Sequence, residues 1–430
     1  MTAPEPSRRQ LALATIRVAS GNFLEMYDFM VFGYYAAAIG RVFFPSTSAL
    51  ASLLLALTTF GAGFLMRPLG AVFLGAYVDR VGRRRGLILT LGLMSIGTLL
   101  LACVPGYATL GLAAPMLVLL GRLLQGFSAG VELGSASVYL AEIAPPGHAG
   151  FFVSFQSLSQ QVAVIVAASL GILLLGWLSP AQIAAWGWRV PLLIGCSIVP
   201  LLFILRRSLQ ETASFTAQPS HPGLSEVLRT LASQWRVVLI GMLMVVTTTS
   251  LFYVITAYTP SFGRTVLRLR ASDGLIVTLC VGLSNMIWLP LAGALSDRIG
   301  RRPILLASSV LVMLTAYPAM LWLASAPQFW RLLVVELWLS FLYASYNGAM
   351  VVALTELVPA RVRTTGFSLA YSLATCIGGF TPAICTALIQ LTGNRAMPGL
   401  WLTLAAACGL VAALLSKRVD PLRPSSGVAS

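Results

Sequence analysis

GRLLQGFSAGVELGSASVYLAEIAPP, from Gly121 to Pro146, sets charged residues inside a run apolar enough to cross a bilayer. At about 100° per residue, Arg122, Gln125, Ala129, Glu132 and Ala136 fall on one narrow helical face. Gly126, Gly130 and Gly134 form a stripe beside it, and glycines four apart let a neighbouring helix approach closely. The segment therefore reads as a membrane helix packed on one side and open to a polar cavity on the next. A lone charge at mid-membrane costs roughly 2.5 to 3.5 kcal/mol, so Arg122 and Glu132 need partners or a task.

The chain around this helix has the same character. Of its 430 residues 58% are hydrophobic and only 10% charged, with a mean hydropathy of +0.87, which places it among polytopic membrane proteins rather than soluble multidomain ones. The net charge of +15 comes from arginines lying between apolar spans. It reports topology in a lipid bilayer and not a nucleic-acid surface. Cys103, Cys196, Cys280, Cys376, Cys385 and Cys408 are scattered through apolar stretches without metal-like spacing, so no disulfide framework, metal site or cofactor is implied. The polar start MTAPEPSRRQ leads into a span carrying Glu25 and Asp28, unlike a cleaved signal peptide. GFSAG, Gly126 to Gly130, satisfies the GxSxG pattern of a hydrolase elbow but lies within a continuous helical run. The two histidines, His148 and His221, fall in loops, so no enzyme is expected. The sole lysine, Lys417, near the C-terminus, excludes a Walker A loop, so transport would draw on a gradient or a separate subunit.

Spanning runs fall near 18–40, 50–77, 86–104, 113–141, 151–178 and 186–205, then near 236–259, 273–295, 303–323, 330–357, 365–391 and 398–416. The expected division is a six-helix bundle over 1–205, a linker over 206–235 and a second bundle over 236–430. With both termini inside, 19 of the 28 arginines and lysines are cytoplasmic, seven are external, and Arg67 and Arg122 lie within spans; this orientation obeys the positive-inside rule. GAYVDRVGRRR, from Gly75 to Arg85, returns as GALSDRIGRRP, from Gly293 to Pro303, at an offset of 218. AEIAPPGHAG, from Ala141, is echoed by TELVPARVRTTG, from Thr355. The halves are thus parallel copies about an axis along the membrane normal, as in transporters with alternating access.

These loops, the RLLQG helix and the two six-span halves resemble the major facilitator superfamily over essentially the whole chain. SGNFLEMYDF (Ser20 to Phe29), MRPLGAVFLGAYVDRVGRRRG and GRLLQGFSAGVELGSASVYLAEIAP are similar to its metabolite:proton symporter branch. SFQSLSQQVA, GWRVP, LRRSLQET, TTTSLFYVITAYTPSFGRTVL, SNMIWLP and YNGAMVVALTE resemble bacterial citrate-proton symporters and their tricarballylate-transporting relatives. The implied fold is an all-α polytopic membrane protein of twelve transmembrane helices in two pseudo-symmetric bundles. In the superfamily's sugar-proton symporters an aspartate of the first span pairs with an arginine of the fourth. By position in the motifs those roles fall on Asp28 and Arg122.

The residues themselves point the same way. Gly21, Glu25, Asp28, Phe32 and Tyr35 share a face of the first span, giving two carboxylates one turn apart in hydrocarbon. Asp28, Glu25 and Glu132 are candidates for the coupling proton; a fixed ion pair is the alternative for each. Arg122, and more weakly Arg67, suits a substrate carboxylate because a planar guanidinium holds one bidentately. For Arg67 a snorkelling position at the lipid headgroups is the competing reading. Gln125 on the fourth span, Ser157, Gln160 and Gln161 on the fifth, Thr249, Tyr253 and Tyr258 on the seventh, Asn285 on the eighth, and Tyr343, Tyr346 and Asn347 on the tenth offer donors around the cavity. Any one of them could instead be an interhelical hydrogen bond. By the second echo, Ala141 with Thr355 at an offset of 214, Arg122 corresponds to Glu336, for which an ion pair or a membrane-edge position is the plain expectation. Asp79 with Arg83 and Asp297 with Arg301, near Glu142, Glu356, Arg361 and Arg363, read as ion pairs that bridge helix ends and gate the cytoplasmic side. The N-terminal half, near His148, lacks counterparts of Arg361 and Arg363. On the outer side Arg264, Arg268 and Arg270 form either an anion funnel or a solvated loop.

The expected function is import of citrate or a related tricarboxylate (tricarballylate, aconitate) with protons, by a monomer in the bacterial inner membrane. A dicarboxylate or zwitterionic betaine symporter, and a sensor that binds the acid without moving it, are the alternatives. No loop is long enough for a signalling domain, which weighs against the sensor.

Overall fold

The computed structural model describes residues 8–46, 48–81, 83–207, 229, 232–359 and 363–416. His221, Arg361, Lys417 and most of the expected linker lie outside them, as do the side chains of Asp79 and Arg83. The described residues are helical with short connections and no strand. In hydrocarbon that outcome is forced, because a helix satisfies its own backbone polar groups.

The first span is Arg8–Tyr34, starting well before its apolar run, continued by Ala36–Phe43. The second is Ala49–Leu65 with Arg67–Val81, the third Arg83–Cys103, the fourth Ala113–Ile143 and the fifth Ala149–Trp177. Pro180–Gln182 and a π turn, Ile183–Gly187, precede the sixth, Arg189–Arg207. The seventh runs from Trp235–Tyr253 through a π turn, Val254–Tyr258, into Thr259–Thr265. The eighth to tenth are Ala271–Ile299, Arg301–Ser325 and Phe329–Leu357. The eleventh is Arg363–Gly378 with Thr381–Thr392, and the twelfth Met397–Leu415.

Among the described residues nine helical runs are long and apolar enough to cross a membrane, and a tenth, the sixth span with its preceding turn, is bent by 43°. The first span carries charges, and the apolar part of the third, Ile88–Cys103, is shorter. The series is consistent with twelve.

The two halves break alike. Regular α geometry is lost at Tyr35 in the first span and directly after Tyr253 in the seventh. These tyrosines are 218 residues apart, the offset of the DRxGRR loops.

Small residues set the packing. A Cβ on Gly126 or Gly130 would collide with the carbonyl oxygen of Gly63 or Arg67 on the second span, and one on Gly134 with the Ser368 hydroxyl on the eleventh. The glycine stripe is therefore the packed side of the fourth span, as expected from its spacing. Between the halves the fifth span lies along the eighth, and the eleventh along the second and fourth. At one end the approach is backbone to backbone: a Cβ on Gly150 would lie 2.5 Å from the Gly293 oxygen.

Candidate functional site

Two arginines and two carboxyl groups meet inside the N-terminal half. Glu25, Asp28, Arg67 and Arg122 are each at most 2% exposed. Arg67 donates through Nη2 to Glu25 Oε1 at 2.6 Å. Its guanidinium lies over the Phe29 and Phe64 rings, 5.0 and 4.6 Å from their centroids. It does not snorkel; the break at Met66 turns it inward from the start of Arg67–Val81.

Arg122 and Asp28 are joined through an amide rather than directly. Arg122 Nη1 donates to Gln125 Oε1 at 2.8 Å, and Gln125 Nε2 donates to Asp28 Oδ2 at 3.3 Å and to Thr98 Oγ1 at 3.1 Å. Thr98 donates to the same Asp28 oxygen. Asp28 Oδ1 and Arg122 Nε are buried without hydrogen-bond partners among the described residues. Arg122 stacks on Phe29, Phe32 and Phe60 at 4.3, 4.7 and 5.1 Å. Phe29 thus serves both guanidiniums, and such cation–π contact offsets part of the loss of water around each. Tyr253, from the other half, closes the cage edge-on against Phe60 and Phe64.

Two polar residues of the C-terminal half, Asn285 and Asn347, bridge to the fifth span. Asn347 receives a hydrogen bond from Thr248 at 2.8 Å and donates to Ser157 at 2.8 Å. Asn285 donates to Gln161 at 3.0 Å and accepts from Ser340 at 2.9 Å. Ser157 in turn donates to Gln156. Gln160, Glu132, Thr249 and Tyr343 are buried. Tyr346 donates to the Met244 carbonyl and Tyr258 accepts from Thr386, both within the C-terminal half. Glu336 is in no ion pair among the described residues: it is 1% exposed on the tenth span, and Thr259 Oγ1 lies 3.0 Å from its Oε1.

At the Gly150 end, Asp297 accepts from the backbone N–H groups of Gly150 (2.8 Å) and Phe151 (3.0 Å). It therefore caps the fifth span from across the half boundary, a span whose own N-cap, His148, makes no side-chain cap. Arg301 holds Asp297 at 2.7 Å and Glu356 at 3.0 Å. Glu142 is exposed, and the Asp79, Arg83 and Arg361 side chains lie outside the described residues.

Sequence reasoning missed Thr98, Phe29, Phe60, Phe64 and Thr259. A threonine or phenylalanine in an apolar helix carries no periodic signal; only the adjacency of Phe29 to Asp28 could have drawn notice.

Two family profiles match, one described as "Sugar (and other) transporter" over residues 13–221 and one as "Major Facilitator Superfamily" over 270–429. The chain is 59% identical over 410 residues to a citrate-proton symporter of Salmonella typhi, covering 95% of this chain and 94% of that one. The chain belongs to the major facilitator superfamily. It is also 59% identical over 400 residues to a citrate-proton symporter of Klebsiella pneumoniae, covering 93% of this chain and 90% of that one. In fold this superfamily member is similar to the proton:xylose symporter XylE, with a TM-score of 0.77, 19% identity and 94% of each chain covered. As a multi-pass member of a transporter superfamily it carries solutes rather than transforming them.

Proposed function

We propose that the protein imports citrate or a related tricarboxylate together with protons by alternating access. The supporting observation is the pair of buried guanidiniums that share the Phe29 ring, each engaged by an internal carboxyl or amide group, in a chain so similar to citrate-proton symporters. An incoming polycarboxylate competes for Arg122 against Gln125 and for Arg67 against Glu25. Once displaced, Asp28 and Glu25 lose compensation in a dry site, and uptake of a proton removes the cost of their buried charge. Ser157, Gln161, Asn285 and Asn347, with Gln160, complete the binding surface when the cross-half hydrogen bonds open, and Glu132 is a further candidate for the coupling proton. Proton accompaniment fits the energetics, because an anion entering against an inside-negative potential loses about 2.3 kcal/mol per charge per 100 mV.

A zwitterionic betaine would need aromatic rings for its ammonium group. Here the rings already stack on Arg67 and Arg122, which favours an anion. In this reading the protein works as a monomer in the bacterial inner membrane with both termini in the cytoplasm, 206–235 links the bundles, and Asp297, Arg301 and Glu356 form the cytoplasmic latch.

The deciding experiment is pH-driven and counterflow uptake of labelled citrate in proteoliposomes, competed with tricarballylate, aconitate, succinate and betaine. Competition by tricarboxylates is expected; uptake insensitive to them would overturn the substrate assignment.

A further inference from the structure

A buried carboxyl group outside this site remains, near the end of the tenth span remote from the Asp297 latch. Glu336 Oε1 lies 3.0 Å from Thr259 Oγ1, and that hydroxyl also lies 2.9 Å from the Val254 carbonyl oxygen, across the π turn. Two oxygens compete for one hydroxyl hydrogen, and the Val254 oxygen can only accept. If Glu336 is the acid, both contacts are satisfied: it donates to Thr259, which donates to Val254. If it is ionised, one contact becomes a bare approach of two acceptors, and the buried Oε2 has no partner among the described residues.

Among the described residues no cation pairs with it. Arg264 is exposed, Arg331 donates to the Trp322 carbonyl and Ser325, and Asp273 accepts from the Arg270 backbone. Of the tyrosines, Tyr258 accepts from Thr386, Tyr317 accepts from Asn394, and Tyr343 packs on Phe252.

We propose that Glu336 is a second proton-carrying site of the transport cycle, held as the acid by Thr259 here and released when the π turn of the seventh span straightens. The turn touches the first span, where Ala257 meets Gly33. Loss of the proton and separation of these two helices are then one event. The inference rests on proton-coupled transport but not on the identity of the anion.

Infrared difference spectroscopy on the full chain in lipid, without substrate, reads the carboxyl directly. A carboxylic-acid band is expected that disappears in Glu336→Gln and moves to higher wavenumber in Thr259→Val, where its hydrogen bond is lost. In proteoliposomes Glu336→Gln should keep substrate exchange and carry one proton fewer per substrate than the parent protein. A band unchanged in both variants, or a Glu336→Gln protein with the parent ratio, overturns the proposal. Should Glu336→Gln fail to fold, the Thr259→Val band decides alone: shifted supports it, unshifted overturns it.

Discussion

Gln125 stands between the two groups that would otherwise neutralise each other, and this decides what single substitutions do. Asp28→Asn should abolish pH-driven accumulation while leaving counterflow intact, because the asparagine still accepts from Thr98 and Gln125 but takes no proton. Gln125→Leu removes a hydrogen bond at each of two charged groups, so uptake should fall about tenfold to a hundredfold, measured as initial rate at saturating and limiting substrate. Arg67→Met takes from the buried Glu25 the guanidinium that its Oε1 accepts from, a loss of about 3–5 kcal/mol. The double variant with Glu25→Gln should recover most of that loss in thermal unfolding of the detergent-purified protein. Placing Arg122, Gln125, Asp28 and Glu25 on inward faces needed only helical periodicity. Which partner each takes was beyond it, since that depends on Thr98 and on how far the bend at Met66, two residues before Pro68, turns Arg67 inward.

Along single helices the sequence was most readable where backbones touch. The spacing of Gly126, Gly130 and Gly134 alone marks the packed side of the fourth span. Gly130→Leu should accordingly prevent accumulation of folded protein, whereas Gly176→Ala, which meets nothing within 4 Å, should be neutral in yield and stability. The breaks were unequally readable. Tyr35 sits in ordinary apolar sequence, whereas Pro260 cannot donate to the Thr256 carbonyl within the Val254–Tyr258 turn. Asp297 was recognised as part of a latch, but its role as the cap of the fifth span depends on a neighbour distant in sequence. Asp297→Asn keeps the shape and loses the charge, so the latched state should weaken by about 1 kcal/mol. Faster thiol labelling of a cysteine placed at Ser154, beside Gly293, is the measurement that checks it.

Across the whole molecule, the fold was legible because the duplicated loops relate the two halves as copies, and composition leaves helices as the form each span takes. How the halves meet was less so: Ser157 with Asn347 and Gln161 with Asn285 are pairs that only the assembled structure makes. The pairing of Arg67 with Glu25 and of Arg122 with Gln125 carries one more implication. The vacant carrier already resembles the loaded one, with each guanidinium occupied by a group of the protein itself. It can therefore make its homeward journey with no passenger, Arg67 neutralised by Glu25 and Arg122 linked through Gln125 to Asp28. A carrier lacking such stand-ins could only swap one anion for another; this one is equipped to concentrate its cargo.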